Sequence, residues 1–328
     1  MTSSEQSKPA DRPRGSRRFI WLLVAILAAI GLYTGGWYWA ADRLQTETTK
    51  ALADLRSRGQ EADCTNASVR GYPFRLGLFC DALAFADPAM GLSVTGTGLR
   101  SATQIYEPRR LVGELDQLNA HLVSPSGFAG SSTIQDLRFS TRLAQPMPEL
   151  TSFETGTITI ADVEEKDFAA AQAGQAHIRP NGADLDIATS LTDVAFAGIA
   201  ELPGLAIETD STLLDGVAQW RRLARSVRGA KVEIRNAAIN APDSGLSING
   251  AVSVDENGLV DAALSLTIRN PPAAATHLAT AFPELAPRIR QMQGVLSAMG
   301  GTPTIPISIA KGQISISFFK VGRVPPLN

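Results

Sequence analysis

The residues best suited to chemistry are few and scattered. His121, His177 and His277 are the three histidines, 56 and 100 residues apart. None sits at a metal-ligand spacing, so each reads as a surface or structural side chain and not as a zinc ligand or general base. The chain lacks a Gly-x-Ser-x-Gly nucleophile elbow and a Walker loop. Gly91 to Gly98 reads as a strand that opens no helix, a poor phosphate cradle. Asp162, Glu164, Glu165 and Asp167 cluster and could approach a hard cation, but they lack calcium-loop spacing and read as a solvated turn. Arg221, Arg222, Arg225 and Arg228 on one short helix could meet anionic lipid headgroups; a solvated face is the plainer reading. Asn66-Ala-Ser68 matches a glycosylation acceptor by pattern only. We expect no catalytic residue, no metal ligand and no cofactor, and hence a protein that is not an enzyme.

Two residues have a more pointed spacing. Cys64 and Cys80 are equidistant from Tyr72. If Gly71-Tyr72-Pro73 turns a hairpin, the cysteines come close to opposite one another, near the distance a bridge accepts. The closed loop would stabilise by about 3 kcal/mol through chain entropy. A bridge fits an oxidising compartment; the alternative is a pair of free buried cysteines. A redox or metal role is not expected, because no Cys-x-x-Cys pair and no nearby His exist.

The elements that carry these residues begin with an apolar run. Phe19 to Trp39 holds no charge over 21 residues. At about 1.5 Å per residue it spans about 30 Å, a bilayer's hydrocarbon thickness. Trp21 lies near one end and Trp37, Tyr38 and Trp39 at the other, as interfacial aromatic belts would. Lys8, Arg12, Arg14, Arg17 and Arg18 precede the run, whereas Arg43 and Lys50 follow it, which predicts a cytoplasmic N-terminus. A cleaved signal peptide is the competing reading, disfavoured by the length of the run and the bulky Trp-Tyr-Trp before Ala40-Ala41. The expected layout is a disordered cytoplasmic tail over 1–18, a transmembrane helix over 19–39, a helical segment over 40–60 and a β-rich extracytoplasmic domain over 61–328. The segment 40–60, with Leu44, Ala51, Leu52 and Leu55 near one face, is either a stalk or a helix packed on its own domain.

Beyond Ala62 the dominant period is two. Leu246, Ile248, Val252 and Val254 alternate with Ser247, Asn249, Ala251 and Ser253; after a turn at 255–258, Ala262, Leu264, Leu266 and Ile268 alternate again. Ile305, Ile307 and Ile309, then Ile314, Ile316 and Phe318, repeat the design around Lys311-Gly312. Further strands are expected over 92–99, 111–123, 134–143, 155–160, 177–187, 191–196 and 232–239. Ten or more strands with little helix between them predict curved antiparallel meanders. Two helical stretches, 213–227 and 272–299, are expected to cover part of the sheet, the second broken by Pro283 and Pro287. A net charge of −2 and 19% charged residues exclude a nucleic-acid surface.

Val69-Arg-Gly-Tyr-Pro-Phe-Arg-Leu-Gly-Leu-Phe-Cys80 behind an apolar anchor resembles the bacterial domain-of-unknown-function 2125 family. So does the ending Ile305-Pro-Ile-Ser-Ile-Ala-Lys-Gly-Gln-Ile-Ser-Ile-Ser-Phe-Phe-Lys-Val-Gly-Arg-Val-Pro-Pro-Leu327. The likeness runs from the anchor to Leu327, with Gly71, Tyr72, Pro73 and Phe74 as its most recognisable element. The resemblance brings no activity and no site residues. The alternation of 246–268 is also similar to the β architecture of AsmA-like envelope proteins, whose curved sheets with an apolar face imply a link to lipid movement. The resulting expectation is a periplasmic protein of the bacterial inner membrane that binds a lipid-like apolar ligand; the alternative is a scaffold or assembly factor for another envelope protein.

Overall fold

The computed structural model describes residues 16–123, 129–162, 164–199, 201–223, 226–298, 301–316 and 319–327. The apolar run lies in one long helix, α1 (Ser16–Ser57), 42 residues and about 63 Å in length. Its inner part exposes Phe19, Trp21, Leu22, Leu23 and Leu27 on all sides. An all-round apolar surface left uncovered is what a lipid-facing helix presents. The outer part changes character: Trp37, Ala41, Leu44, Thr48, Leu52 and Leu55 form a buried to half-buried stripe at three- and four-residue steps. That stripe packs on the first strands of the domain. The helix thus continues the apolar run without a break and also packs on its own domain. Ala51, expected on the packed face, is exposed.

Eighteen strands follow: β1 (Glu61–Thr65), β2 (Ser68–Arg70), β3 (Arg75–Asp87), β4 (Leu92–Gln104), β5 (Glu107–Val123), β6 (Ala129–Arg142), β7 (Leu150–Thr155), β8 (Ile158–Ala161), β9 (Asp167–Ala171), β10 (Ala173–Asn181), β11 (Asp184–Phe196), β12 (Leu205–Leu213), β13 (Lys231–Asn240), β14 (Gly245–Val254), β15 (Val260–Arg269), β16 (Thr304–Ala310), β17 (Gln313–Ile316) and β18 (Phe319–Arg323). The pairings are all antiparallel and follow chain order, so one wide meander results. β7 with β8, and β9 with β10, act as interrupted single strands, because β6 pairs with both of the first pair and β11 with both of the second. Several strands carry irregularities. The register shifts at Leu191/Val194, Asp210/Ser211 and Ile234/Ala237, and Asp136 and Asp193 adopt positive φ. Bulges bend the strands that carry them.

One expected strand is a hairpin. The stretch 177–187 divides into the end of β10 and the start of β11, with Asn181 paired to Asp184 and Gly182 at φ 65°. Gly182 at the first position of the two-residue loop Gly182-Ala183 makes the hairpin turn, and it overrides the continuity of the apolar pattern. The helix expected over 213–227 is shorter, and the stretch expected over 272–299 divides in two as the prolines predict. α2 (Gly216–Leu223) joins β12 to β13, and α3 (Pro271–Ala281) and α4 (Ala286–Ala298) join β15 to β16. The break falls at a short 3-10 turn, Pro283–Leu285; Pro287 sits in the first turn of α4, where a missing N–H costs nothing. These helices lie at strand ends, with α2 against β11 and α3 against β15, so most of the sheet is uncovered. Accordingly, none of the large side chains among the described residues is fully buried.

Candidate ligand-binding face

In an antiparallel ladder, paired residues share a face and alternate along each strand, and here the alternation shifts phase where Gly98, Asp136 and Asp193 take positive φ. The registers therefore assign every strand residue to one of two sides. One side carries Leu83 and Phe85 of β3, then Val94, Leu118, Ile134, Phe153, Ile178, Ile187, Ile207, Ile239, Leu246, Ile268, Ile307 and Ile314 in turn. Between β4 and β17 no ladder position on this side holds Asp, Glu, Lys or Arg. The other side carries the charges: Arg100 meets Glu114 and Asp116, Arg138 lies across from Glu154, and Arg179 across from Asp186. The apolar side is accessible. Ile160 is 41% exposed and Ile239 45%.

At one end of the apolar side a cavity of about 330 Å³ opens. Phe168 and Phe196 come from the ends of β9 and β11, Ile199 and Leu202 from the segment after β11, Leu278 from α3 and Phe282 from its C-cap. Phe168 and Phe196 meet edge to face, ring centroids 5.8 Å apart. α3 is held over the cavity by polar contacts at its rim. His277 Nε2 lies 2.8 Å from Asp243 Oδ1, Asn270 Nδ2 donates to the Asp243 carbonyl, and Arg269 donates to the carbonyls of Ala241 and Ser244. The His277 contact holds the Asp243 carboxyl below its ordinary range. The lining is mainly apolar, with Ser244 and His277 as its polar side chains.

The polar side has one dense network. Asp186, buried, accepts from the Thr212 hydroxyl (2.8 Å), from Arg235 (3.0 Å) and from Arg179 (3.2 Å). Arg235 also grips Asp210. These bonds, Thr212 first and Arg235 next, hold the Asp186 carboxyl below the usual range, and Asp210 raises the Arg235 guanidinium. The network clamps β10 to β13 across four strands and is structural in form.

The residues singled out from sequence stay apart. His121 lies on β5, His177 on β10 beside the Ser152 hydroxyl (2.9 Å), and His277 on α3. Asp162, Glu164, Glu165 and Asp167 surround the β8–β9 turn, where Asp162 Oδ1 accepts from the backbone N–H groups of Glu164 and Lys166. Arg222 donates to the Arg228 carbonyl and to Gln219, and Arg228 reaches the Leu327 carbonyl, so these two arginines tie α2 to the C-terminal segment. Arg225 lies outside the described residues, as does Phe318, and Arg221 is described in its backbone alone.

Cys64 and Cys80 are joined, with Cα atoms 5.4 Å apart. They are not register partners: Cys64 aligns with Leu83, and the pairs 68/79, 69/78 and 70/77 centre the turn between Pro73 and Phe74. The chain breaks between β1 and β2 at Asn66 (φ 54°), and the cysteines meet across that break.

Gly71-Tyr72-Pro73-Phe74 forms the β2–β3 turn and docks on α1. Tyr33 Oη donates to the Pro73 carbonyl (2.6 Å), Thr34 Oγ1 and Tyr72 Oη are 2.9 Å apart, and Trp37 Nε1 donates to the Arg75 carbonyl (2.9 Å). Tyr72 stacks on Tyr38 and meets Trp37 edge on. Sequence reading missed Tyr33 and Thr34; their hydroxyls inside an otherwise apolar run were the available signal.

A wide antiparallel sheet, polar on one side and openly apolar on the other, docked on a helix apolar and long enough to cross a membrane, defines a β-rich protein with a candidate single-pass anchor. The family model described as an uncharacterised protein conserved in bacteria, DUF2125, matches residues 37–325. The chain belongs to that family. No curated protein and no solved structure matches it, so the similarity to AsmA-like proteins has no support of that kind.

Proposed function

We propose that this is a single-pass protein of the bacterial inner membrane, N-terminus in the cytoplasm and sheet in the periplasm, that holds the apolar part of a lipid-like ligand on the uncovered side of its sheet. The observation that carries the reading is the unbroken run of charge-free ladder positions from β4 to β17, most of them part-exposed. A surface of this size left open to water is costly, at about 25 cal/mol per Å² of apolar area. Contiguous apolar patches beyond a few hundred Å² mark interaction sites. The role is binding, without covalent chemistry.

The test places a photoreactive amino acid at Ile160, Ile239 or Leu266 of the full chain in cells, with Ser247 and Ser265 as polar-side controls. Lipid adducts at the first three and none at the controls are expected. Protein adducts alone, or no adducts, at the apolar positions would overturn the reading.

A second reading has its own observation. β18 pairs on one side only among the described residues and exposes Phe319 and Val321. A free strand edge with apolar side chains suits strand addition by another envelope protein. Photoreactive groups at Phe319 and Val321 would then capture a protein and not a lipid.

A further inference from the structure

The contacts between α1 and the β2–β3 turn fix a depth. From Phe19 to Trp39 the helix rises about 30 Å, the thickness of a hydrocarbon core; from Phe19 to Tyr33 it rises about 21 Å. The turn is bonded to Tyr33, Thr34 and Trp37. Held there, it lies about 3 to 9 Å inside the boundary that Trp39 marks.

The chemistry of the turn suits that depth. Phe74 is 66% exposed, and the neighbouring β4–β5 turn exposes Ile105 and, at 75%, Tyr106. The two turns are joined, the Ile105 N–H donating to the Phe74 carbonyl at 3.1 Å. Backbone groups entering lipid must be paired. Here the carbonyl of Gly71 accepts from Arg75 N–H, that of Pro73 from Tyr33, that of Phe74 from Ile105 and that of Arg75 from Trp37. Exposed Arg75, Arg109 and Arg110 stand a few residues behind the apolar tips, within reach of lipid phosphates.

We propose that turns 71–74 and 104–107 form a lip inserted into the leaflet on the domain's side, with Phe74, Ile105 and Tyr106 among the acyl-chain ends and headgroups. The proposal rests on the reading of α1 as a membrane span and is independent of lipid binding by the sheet. The lip seats the domain on the bilayer and brings the start of the apolar side, at Leu76 and Leu111, to the lipid surface.

The test uses the full chain in vesicles of phosphatidylethanolamine and phosphatidylglycerol, with the Cys64–Cys80 bond verified by peptide mapping. Single replacements Phe74→Cys, Tyr106→Cys, Met90→Cys and Ile26→Cys carry an environment-sensitive fluorophore. Met90 marks the opposite edge of the sheet and Ile26 the middle of the span. Labels at 26, 74 and 106 should emit to the blue and be quenched by nitroxide-bearing lipid. The label at 90 should be quenched by aqueous iodide. If 26 is lipid-quenched while 74 and 106 behave like 90, the lip is refuted and the span stands. If 26 itself is iodide-accessible, the span falls and the lip with it. Tyr72→Cys and Ile105→Cys repeat the measurement should either first replacement fail to fold.

Discussion

Replacing Trp37 with Phe should loosen the domain from its helix without unfolding the sheet. Trp37 is 6% exposed, and its indole N–H donates to the Arg75 carbonyl at 2.9 Å. Phe removes that donor and leaves a covered carbonyl unpaired, at a cost of about 1 kcal/mol. It also removes some 40 Å² of buried ring, about 1 kcal/mol more. A total of about 2 kcal/mol corresponds to about a 30-fold shift in an opening equilibrium. The loss is local, because Trp37 touches the start of the sheet and no strand beyond it. Hydrogen exchange of the full chain in a bilayer should therefore show amides of 68–80 exchanging about 30-fold faster, with β14 and β15 unchanged. Equal acceleration everywhere, or none in 68–80, would refute the argument that helix and turn form a separable dock.

Two further outcomes are expected. Replacing Cys64 and Cys80 together by Ala opens a loop of 16 residues and should cost about 3 kcal/mol, seen as earlier denaturant unfolding of the full chain in detergent. For Asp186 the sign follows from a carboxyl held below its ordinary range: its contribution is present above the unfolded value and is lost as pH falls through the folded one. Asp186→Asn should cost about 1–3 kcal/mol at pH 7, and its melting temperature should converge with that of the parent well below pH 4.

The parts of the fold legible in the sequence were those where packing on one side only dictates a period of two. Leu246 to Ile268 pairs as the alternation predicts, because a slip of one residue would turn Leu264, Leu266 and Ile268 to the charged side. The apolar side was legible for the same reason. What the pattern could not carry was anything set by a single backbone conformation. Gly182-Ala183 hid a hairpin inside an apolar run, and Asn66 moved the cysteines out of the symmetric register that counting suggests. The reach of the helices was hidden too, since apolar residues in α3 line a cavity at the strand ends and do not blanket the sheet. The docking of Gly71 to Phe74 on Tyr33 and Thr34 joins residues about forty apart, and periodicity holds no information at that range.

The chain-order meander has a consequence for how such a protein can change length. Each strand bonds chiefly to its neighbours in sequence, and among the described residues no large side chain is fully buried. Stability is then close to a sum of nearest-neighbour terms, as in repeat proteins. Inserting or deleting one hairpin would move the far edge by about 10 Å, two strand spacings, and would leave the anchored end untouched. The sheet works as a ruler graduated in hairpins, with its zero mark at the helix.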